Sequence, residues 1–263
     1  MKLRPINYLV LFGHFFGFVV ILFLDTEIHN DIFIEHKLVG AYYPILMLLG
    51  IIFYILTCQG PGFATSENEE LSLQNKSWFC KNCNFCPPLR SSHCKKCGHC
   101  VLRRDHHCPF IGTCVGMENH LFFIIYLGLE IPIYWNFISQ TGKIAFRGSS
   151  NIIEWIFYSF PSLITFFVGA FGIFQPILLF PFHVFLIFLN RTTWELVKSE
   201  RVSYLREWQG SLSPFSHGLI HNFKEFMTMR WKHPKYSIPS DTQSLVEWKY
   251  DNSFIINDSY ECC

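Results

Sequence analysis

Long stretches of this 263-residue chain lack charged residues, and half of all its residues are hydrophobic. In a soluble domain of this length the apolar residues would recur periodically among polar ones. Here they form blocks, and about 20 apolar residues are enough to cross a bilayer. The blocks argue against a soluble fold and predict membrane-spanning helices. Four segments qualify, namely Ile6–Leu24, Val39–Thr57, Leu121–Ile138 and Ile164–Leu189.

The first of these segments also lacks the small-residue cleavage site of a signal peptide, so we expect it to remain as a helix. The last segment allows two interpretations. Gln175-Pro176 could turn a tight hairpin within Ile152–Leu189, which would give five spans in total. We favour one kinked span, because the basic residues after Asn190 would otherwise face the lumen.

Net charge is close to zero, but the charges are unevenly distributed. Asp25–Lys37 is mainly acidic, whereas basic residues are concentrated between the second and third spans and just after the last one. The positive-inside rule therefore places both termini and the segment between the second and third spans in the cytosol. The first three spans, of roughly 18–20 residues each, suit the thinner early secretory membranes, so we expect Golgi or endoplasmic reticulum.

The segment Cys80–Cys114 contains the pattern C-x2-C-x9-H-x6-C twice, and the second copy begins 14 residues after the first, at Cys94. Each copy supplies three thiolates and one imidazole, which is a complete tetrahedral shell for structural zinc. A reducing cytosol disfavours disulfides, which strengthens the zinc interpretation. His99 and Cys86 are alternative ligands that fit the spacing less well. The predicted shells are Cys80, Cys83, His93 and Cys100, and Cys94, Cys97, His107 and Cys114.

Three residues beside His107 are left without a structural role: Asp105, His106 and Cys108. A thiol with an imidazole base, oriented by a third group, is the arrangement that nucleophilic catalysis requires. Both zinc shells are closed, so metal-hydroxide hydrolysis is not expected. Nearby metal charge would instead favour a thiolate at Cys108. The alternative is that Cys108 is a structural thiol or the ligand of a third site.

The position of Cys108 shortly before the third span indicates a substrate at the bilayer surface. A long acyl chain fits this place, because each methylene exposed to water costs roughly 0.8 kcal/mol. Arg103 and Arg104, with Lys95 and Lys96, could contact a phosphorylated carrier such as coenzyme A. The alternative is an ordinary positive-inside patch. Within the third span, Glu130 marks a functional hypothesis, unless it is simply paired with a Tyr or with His183.

Cys80–Phe123 resembles the cysteine-rich domain of the DHHC protein S-acyltransferases, or palmitoyltransferases. Thr192–Glu195 resembles the TTxE motif of that family, and Ser213–Phe223 resembles its C-terminal docking segment. The short acidic first loop and Thr192–Arg206 look most like the corresponding segments of a small animal member of the family. Two departures are Gly60, where many members have Asp, and Phe110, which replaces the usual Trp. The other matching positions are Pro88, Arg90, His93, Asp105–Pro109, Cys114, Val115-Gly116, Asn119 and Phe122.

The resemblance implies that palmitoyl-CoA loads an acyl group onto Cys108, which passes it to a cytosol-facing cysteine of a target protein. His106 is then expected to act as base and Asp105 to orient it, while His107 remains a zinc ligand. Thr193 and Glu195 are expected to brace the active-site loop, and Asn222 to cap a helix or loop. Two structural zinc ions, acyl-CoA and the lipid bilayer are the implied partners, and nucleic acid is not among them.

The sequence thus predicts an all-α polytopic membrane protein with four transmembrane helices and a cytosolic zinc-bound domain between the second and third. The expected domains are a first transmembrane hairpin (1–57), the cysteine-rich domain (58–120), a second transmembrane pair (121–190) and a cytosolic tail (191–263). A rival from another class is a membrane-anchored zinc scaffold or RING-like ubiquitin ligase adaptor, which needs the ligands but not Cys108. A transporter with a zinc regulator would depend on Glu130 and His183.

Overall fold

The computed structural model describes residues 4–23, 37–66, 79–146, 151–199, 202, 205 and 213–236. Residues 25–36, which form nearly all of the acidic first loop, and the tail after Tyr236 lie outside the described residues. The described chain is mostly helical. Its helices are α1 (Pro5–Phe23), α2 (Lys37–Cys58), α3 (His120–Ala145), the short α4 (Ile152–Glu154), α5 (Phe160–Leu189), α6 (Thr193–Val197) and α7 (Leu219–Lys232).

Three of these helical segments are long and apolar enough to cross a membrane: Gly40–Cys58, His120–Lys143 and Trp155–Leu189. They contain the predicted second, third and fourth spans almost entirely. Helix α1 covers the predicted first segment except its last residue, Leu24, which lies outside the described residues. The alternative hairpin at Gln175-Pro176 is not formed, because α5 continues through both Pro176 and Pro181. A π-helical turn, Trp155–Ser159, leads into α5.

The prediction of an all-α chain is wrong in the cysteine-rich segment, which forms two short antiparallel β-hairpins. Each strand has three residues, so no apolar run long enough to signal a strand was present in the sequence. The turns use Gly98 and Gly112, whose φ angles of +75° and +69° suit glycine. The strands are β1 (Ser92–Cys94) paired with β2 (His99–Val101), and β3 (His106–Cys108) paired with β4 (Thr113–Val115).

The described chain divides into two compact units. The cysteine-rich unit contains the described residues within Thr57–Phe123 and from His183 onward, and the span unit contains the described residues within Lys2–Leu56 and Ile124–Phe182. In the span unit Glu130 is paired with His14, whose Nε2 lies 2.7 Å from its Oε1. The pair with His14 was not predicted, because the sequence interpretation considered only a Tyr or His183 as the partner of Glu130. A buried carboxylate next to an imidazole is satisfied without any transported ion.

Candidate active site

Within the tetrapeptide Asp105–Cys108, the pleat of β3 places neighbouring side chains on opposite faces of the strand. Successive side chains of a strand point to opposite faces, so His106 and Cys108 share one face and His107 points to the other. His107 lies opposite Cys114 in the register of the hairpin, and Cys108 lies opposite Thr113. The strand therefore separates the predicted metal ligand from the two predicted catalytic side chains.

The eight predicted ligands form two clusters, in each of which the ligand atoms lie within 4.8 Å of one another. In the second cluster the Nδ1 atom of His107 is 3.5 Å from Cys94 Sγ, 3.3 Å from Cys97 Sγ and 3.7 Å from Cys114 Sγ. In a tetrahedral zinc shell the ligand atoms are about 3.5–3.8 Å apart, given its Zn–S and Zn–N bond lengths. The chain can therefore hold zinc here without rearrangement.

The first cluster follows the same plan, with Cys80 Sγ and Cys83 Sγ at 3.7 and 3.2 Å from Nδ1 of His93. Its His93 and Cys100 face each other across the first hairpin, as His107 and Cys114 do across the second. The alternative ligands Cys86 and His99 belong to neither cluster among the described residues. Cys94 and Cys97, at the turn of the first hairpin, serve the second cluster, so that cluster links the two hairpins.

Asp105 lies immediately before β3 and is almost wholly buried. Its Oδ2 is 2.7 Å from Nδ1 of His106, and its Oδ1 accepts a hydrogen bond of 2.7 Å from the backbone N–H of Thr193. Burial alone would raise the pKa of Asp105, but the hydrogen bond from His106 and the charge on that ring lower it below its ordinary value. Asp105 is thus an ionised carboxylate that orients His106.

His106 is placed between Asp105 and Cys108. Burial lowers the pKa of His106, but hydrogen bonds with the Asp105 and Cys108 side chains raise it to about 9. A histidine with a pKa raised in this way is suited to serve as the proton acceptor of a neighbouring nucleophile. The buried Cys108 therefore lies beside an imidazole that Asp105 holds, which is an arrangement suited to a nucleophile; its role as the nucleophile stays a prediction.

The attachment of the TTxE-like motif, Thr192–Glu195, could not be predicted from the sequence. Arg90 is buried and donates from Nε and Nη2 to the two carboxylate oxygens of Glu195 at 2.7 and 2.8 Å. Glu195 also completes a capping box with Thr192 at the start of α6. Burial would raise the pKa of Glu195, but the Arg90 charge and hydrogen bond lower it. The only sequence signal for this ion pair was that both residues matched a family position.

Arg103 and Arg104, the predicted coenzyme A contacts, are both engaged within the cysteine-rich unit. Arg103 is buried and its Nη2 donates to Asn190 Oδ1 at 3.0 Å. Arg104 donates from Nη1 to the His93 carbonyl at 2.9 Å, and its guanidinium lies 4.6 Å from the centre of the Trp194 ring. A contact between either arginine and coenzyme A remains a prediction.

Two asparagines hold irregular parts of the cysteine-rich unit. Asn222 donates from Nδ2 to the carbonyl of Phe188 at the end of α5 and accepts from the backbone N–H of His217, as expected for a cap. Asn119 accepts from the Gly116 N–H and donates to the Thr57 carbonyl at the end of α2. Both side chains thus satisfy backbone groups that helix and strand ends leave unpaired.

With this geometry established, comparison with known proteins identifies the family. The profile of the DHHC palmitoyltransferase family matches residues 73–200. The chain is 31% identical to human palmitoyltransferase ZDHHC12 over 80% of its own length and 82% of that protein, and 30% identical to the mouse protein with the same coverage. It is 35% identical to the putative ZDHHC-type palmitoyltransferase 7 of Dictyostelium discoideum, over 75% of the chain and 45% of that longer protein.

The likeness to a small animal member, number twelve of the family, is thus confirmed. Protein S-palmitoylation is the activity that the family profile and the names of these relatives share. Nothing in these findings favours the zinc scaffold or the ubiquitin ligase adaptor. The chain belongs to the DHHC palmitoyltransferase family.

Proposed function

We propose that this enzyme carries the palmitoyl group as a thioester on Cys108. His106 takes the thiol proton, and the Cys108 thiolate attacks the carbonyl carbon of palmitoyl-CoA, releasing the thiolate of coenzyme A. The thiolate of a target-protein cysteine then attacks the Cys108 thioester and frees Cys108. The observation that carries this proposal is the 2.7 Å contact between Asp105 and His106, whose other side interacts with Cys108.

The two ligand clusters support a structural role for zinc. Three thiolates and an imidazole in each cluster leave no open position on a tetrahedral ion. Zinc bound there supplies stiffness, because the hairpins have only three-residue strands and little apolar core of their own. The residues of the second cluster therefore fix β3 and with it the positions of His106 and Cys108.

The proposed topology has four spans, with α1 as the first and both termini in the cytosol. The domain limits predicted from the sequence (1–57, 58–120, 121–190 and 191–263) follow from this arrangement. The family membership and the three apolar helices support it. In this topology Cys108 is on the cytosolic side of the bilayer, where palmitoyl-CoA and target cysteines are available. Arg103 and Arg104 are the proposed contacts of the coenzyme A moiety. The Golgi and endoplasmic reticulum membranes remain the proposed location.

Acyl loading of the purified full chain tests the nucleophile. Given palmitoyl-CoA in detergent, we expect a hydroxylamine-labile palmitoyl group on Cys108. Cys108→Ser should lose the label and keep its zinc, since Cys108 is in neither ligand cluster among the described residues. Cys86→Ser is the matched control and should load as the natural chain does. Full labelling of Cys108→Ser would exclude the thioester on Cys108 and favour a scaffold.

Metal analysis of the same preparation tests the two shells. We expect two zinc ions per chain, one for each cluster. A single ion per chain would contradict the interleaved arrangement, whatever the result of the loading experiment.

A further inference from the structure

Two buried histidines beside the active site have no part in the transfer proposed above. His120 is the first residue of α3 and His183 lies on α5, and each is only 1% exposed. Nε2 of His120 lies 3.2 Å from Nδ1 of His183, so one hydrogen atom is shared between the two rings.

The surroundings of His120 decide which ring donates. Its buried Nδ1 has no hydrogen-bond partner among the described residues. If His183 were the donor, His120 would carry its own hydrogen on Nδ1, as a buried N–H without an acceptor. Such orphaned donors are rarer in proteins than under-used acceptors. His120 therefore donates from Nε2, and Nδ1 of His183 accepts.

The same nitrogen of His183 lies near Asp105. His183 Nδ1 is 3.9 Å from Asp105 Oδ2, the oxygen that is 2.7 Å from Nδ1 of His106. The His106 and His183 rings are 5.7 Å apart between centroids, and the Phe123 ring packs edgewise on both. A hydrogen on Nδ1 of His183 would need only a small shift to reach Asp105 and compete with His106.

We propose that His120 is a positioning residue for palmitoyl transfer. By donating to Nδ1 of His183, it prevents that nitrogen from donating to Asp105, which leaves Oδ2 of Asp105 to His106 alone. This role rests on the function proposed for Asp105, His106 and Cys108. It makes His120 necessary because His183 is present, rather than because His120 touches a reacting group.

Metal binding is the other chemistry that these residues allow. Ligand atoms of Asp105, His120 and His183 lie within 4.8 Å of one another. With a metal between the rings, however, both facing nitrogens become ligands, and His120 must carry its hydrogen on the unpartnered Nδ1. Histidine ligands almost always donate their second N–H to a partner. The hydrogen-bonded arrangement is therefore the one that the surroundings favour.

The test is a set of four variants of the full chain in detergent, loaded with palmitoyl-CoA. In His120→Leu we expect the maximal rate of Cys108 loading to fall about tenfold at unchanged KM, which is less than the roughly 10²–10⁴-fold contribution of a general base. His120→Gln should restore the rate, because its amide nitrogen can reach Nδ1 of His183. His183→Phe should load normally, and adding it to His120→Leu should restore loading, since the competitor is gone.

A purely structural role for His120 predicts the opposite pattern. The double variant would then be slower than His120→Leu, and this result would overturn the proposal, as would a His120→Gln variant as slow as His120→Leu. A third metal ion per chain that His120→Leu removes would show the metal site instead. Two zinc ions in each variant confirm that its hairpins are folded. If the natural chain does not load at Cys108, the proposed function fails and not the role of His120 alone.

Discussion

The two β-hairpins of the cysteine-rich unit are copies of each other with different chemistry. Each strand of the second hairpin begins 14 residues after its counterpart, as β3 at His106 follows β1 at Ser92. The shift pairs Ser91-Ser92-His93-Cys94 with Asp105-His106-His107-Cys108. His93 and His107 are in equivalent places, each beside its cluster's thiols. Two serines in the first copy stand where the second has the Asp105 carboxylate and His106, the proposed base.

The cysteines that end β1 and β3 show why the second copy can be reactive. Cys94 belongs to the ligand cluster of the following hairpin. Cys108, its counterpart, has no following hairpin, because the chain enters α3 at His120. Cys97, the second cysteine of that C-x2-C pair, corresponds to the buried Ile111. The proposed nucleophile, Cys108, thus occupies the position that corresponds to the first ligand of a third zinc site, which the residues after it do not complete.

The same shift relates two arginines that contact the segment after α5. Arg90 forms the ion pair with Glu195, and Arg104, 14 residues later, stacks on Trp194. Both copies therefore attach to one short segment, Thr192–Glu195, whose Thr193 N–H also holds Asp105. The first contact is a buried charge pair and the second a half-buried ring contact, so we expect them to differ in strength.

Removing a zinc ligand from each hairpin should have the largest effect. Structural zinc sites contribute about 10–16 kcal/mol to folding, so Cys100→Ala and Cys114→Ala should each lose one zinc ion. Loading of Cys108 should disappear in Cys114→Ala, whose vacant site includes His107 of β3, and should persist in part in Cys100→Ala. Metal content and palmitate incorporation measure both. A greater loss of Cys108 loading in Cys100→Ala than in Cys114→Ala would show that the first ligand cluster, rather than the second, fixes the position of Cys108.

Replacing a residue of the second hairpin by its counterpart in the first should slow the loading of Cys108 without loss of zinc. His106→Ser introduces the residue found at Ser92 and deletes the base, so the rate of Cys108 loading should fall on the order of 10²–10⁴-fold. Zinc content should not change, because His106 is in neither ligand cluster among the described residues. The matched variant Ser92→Ala should load at a nearly normal rate. Rapid loading of His106→Ser at neutral pH would show that Cys108 needs no base.

Features that depend on a short stretch of sequence could be predicted, whereas contacts between residues far apart in the chain could not. The ligand sets followed from spacing alone, because a tetrahedral site constrains residue types at short intervals. The pairs Arg90–Glu195 and His14–Glu130 join residues more than a hundred positions apart, and no local periodicity relates them. The strands were missed because hairpins held by metal need only turns and ligands, not apolar runs.

Removing one partner of the Arg90–Glu195 pair should have the next largest effect, which is a loss of folding stability. Arg90→Met leaves Glu195 buried without its partner, which should cost about 3–5 kcal/mol, and the double variant with Glu195→Met should recover much of this. Thermal unfolding of the purified chain measures both. Because the folded-state pKa of Glu195 is lowered, its contribution is present above the ordinary glutamate pKa and is lost as the pH falls through the lowered one. The double variant should therefore lose less stability in acid than the natural chain.

Arg104 should give the smallest effect of the set. Its guanidinium lies 4.6 Å from the centre of the Trp194 ring and it is only half-buried, so the contact should contribute about 0.5–1 kcal/mol. Arg104→Met should lower the unfolding temperature slightly, and a double-mutant cycle with Trp194→Leu isolates the ring contact from the hydrogen bond to the His93 carbonyl. A coupling energy as large as that of Arg90 with Glu195 would contradict the ranking. The two copies would then hold the segment Thr192–Glu195 equally, and their difference would be confined to the residues beside Cys108.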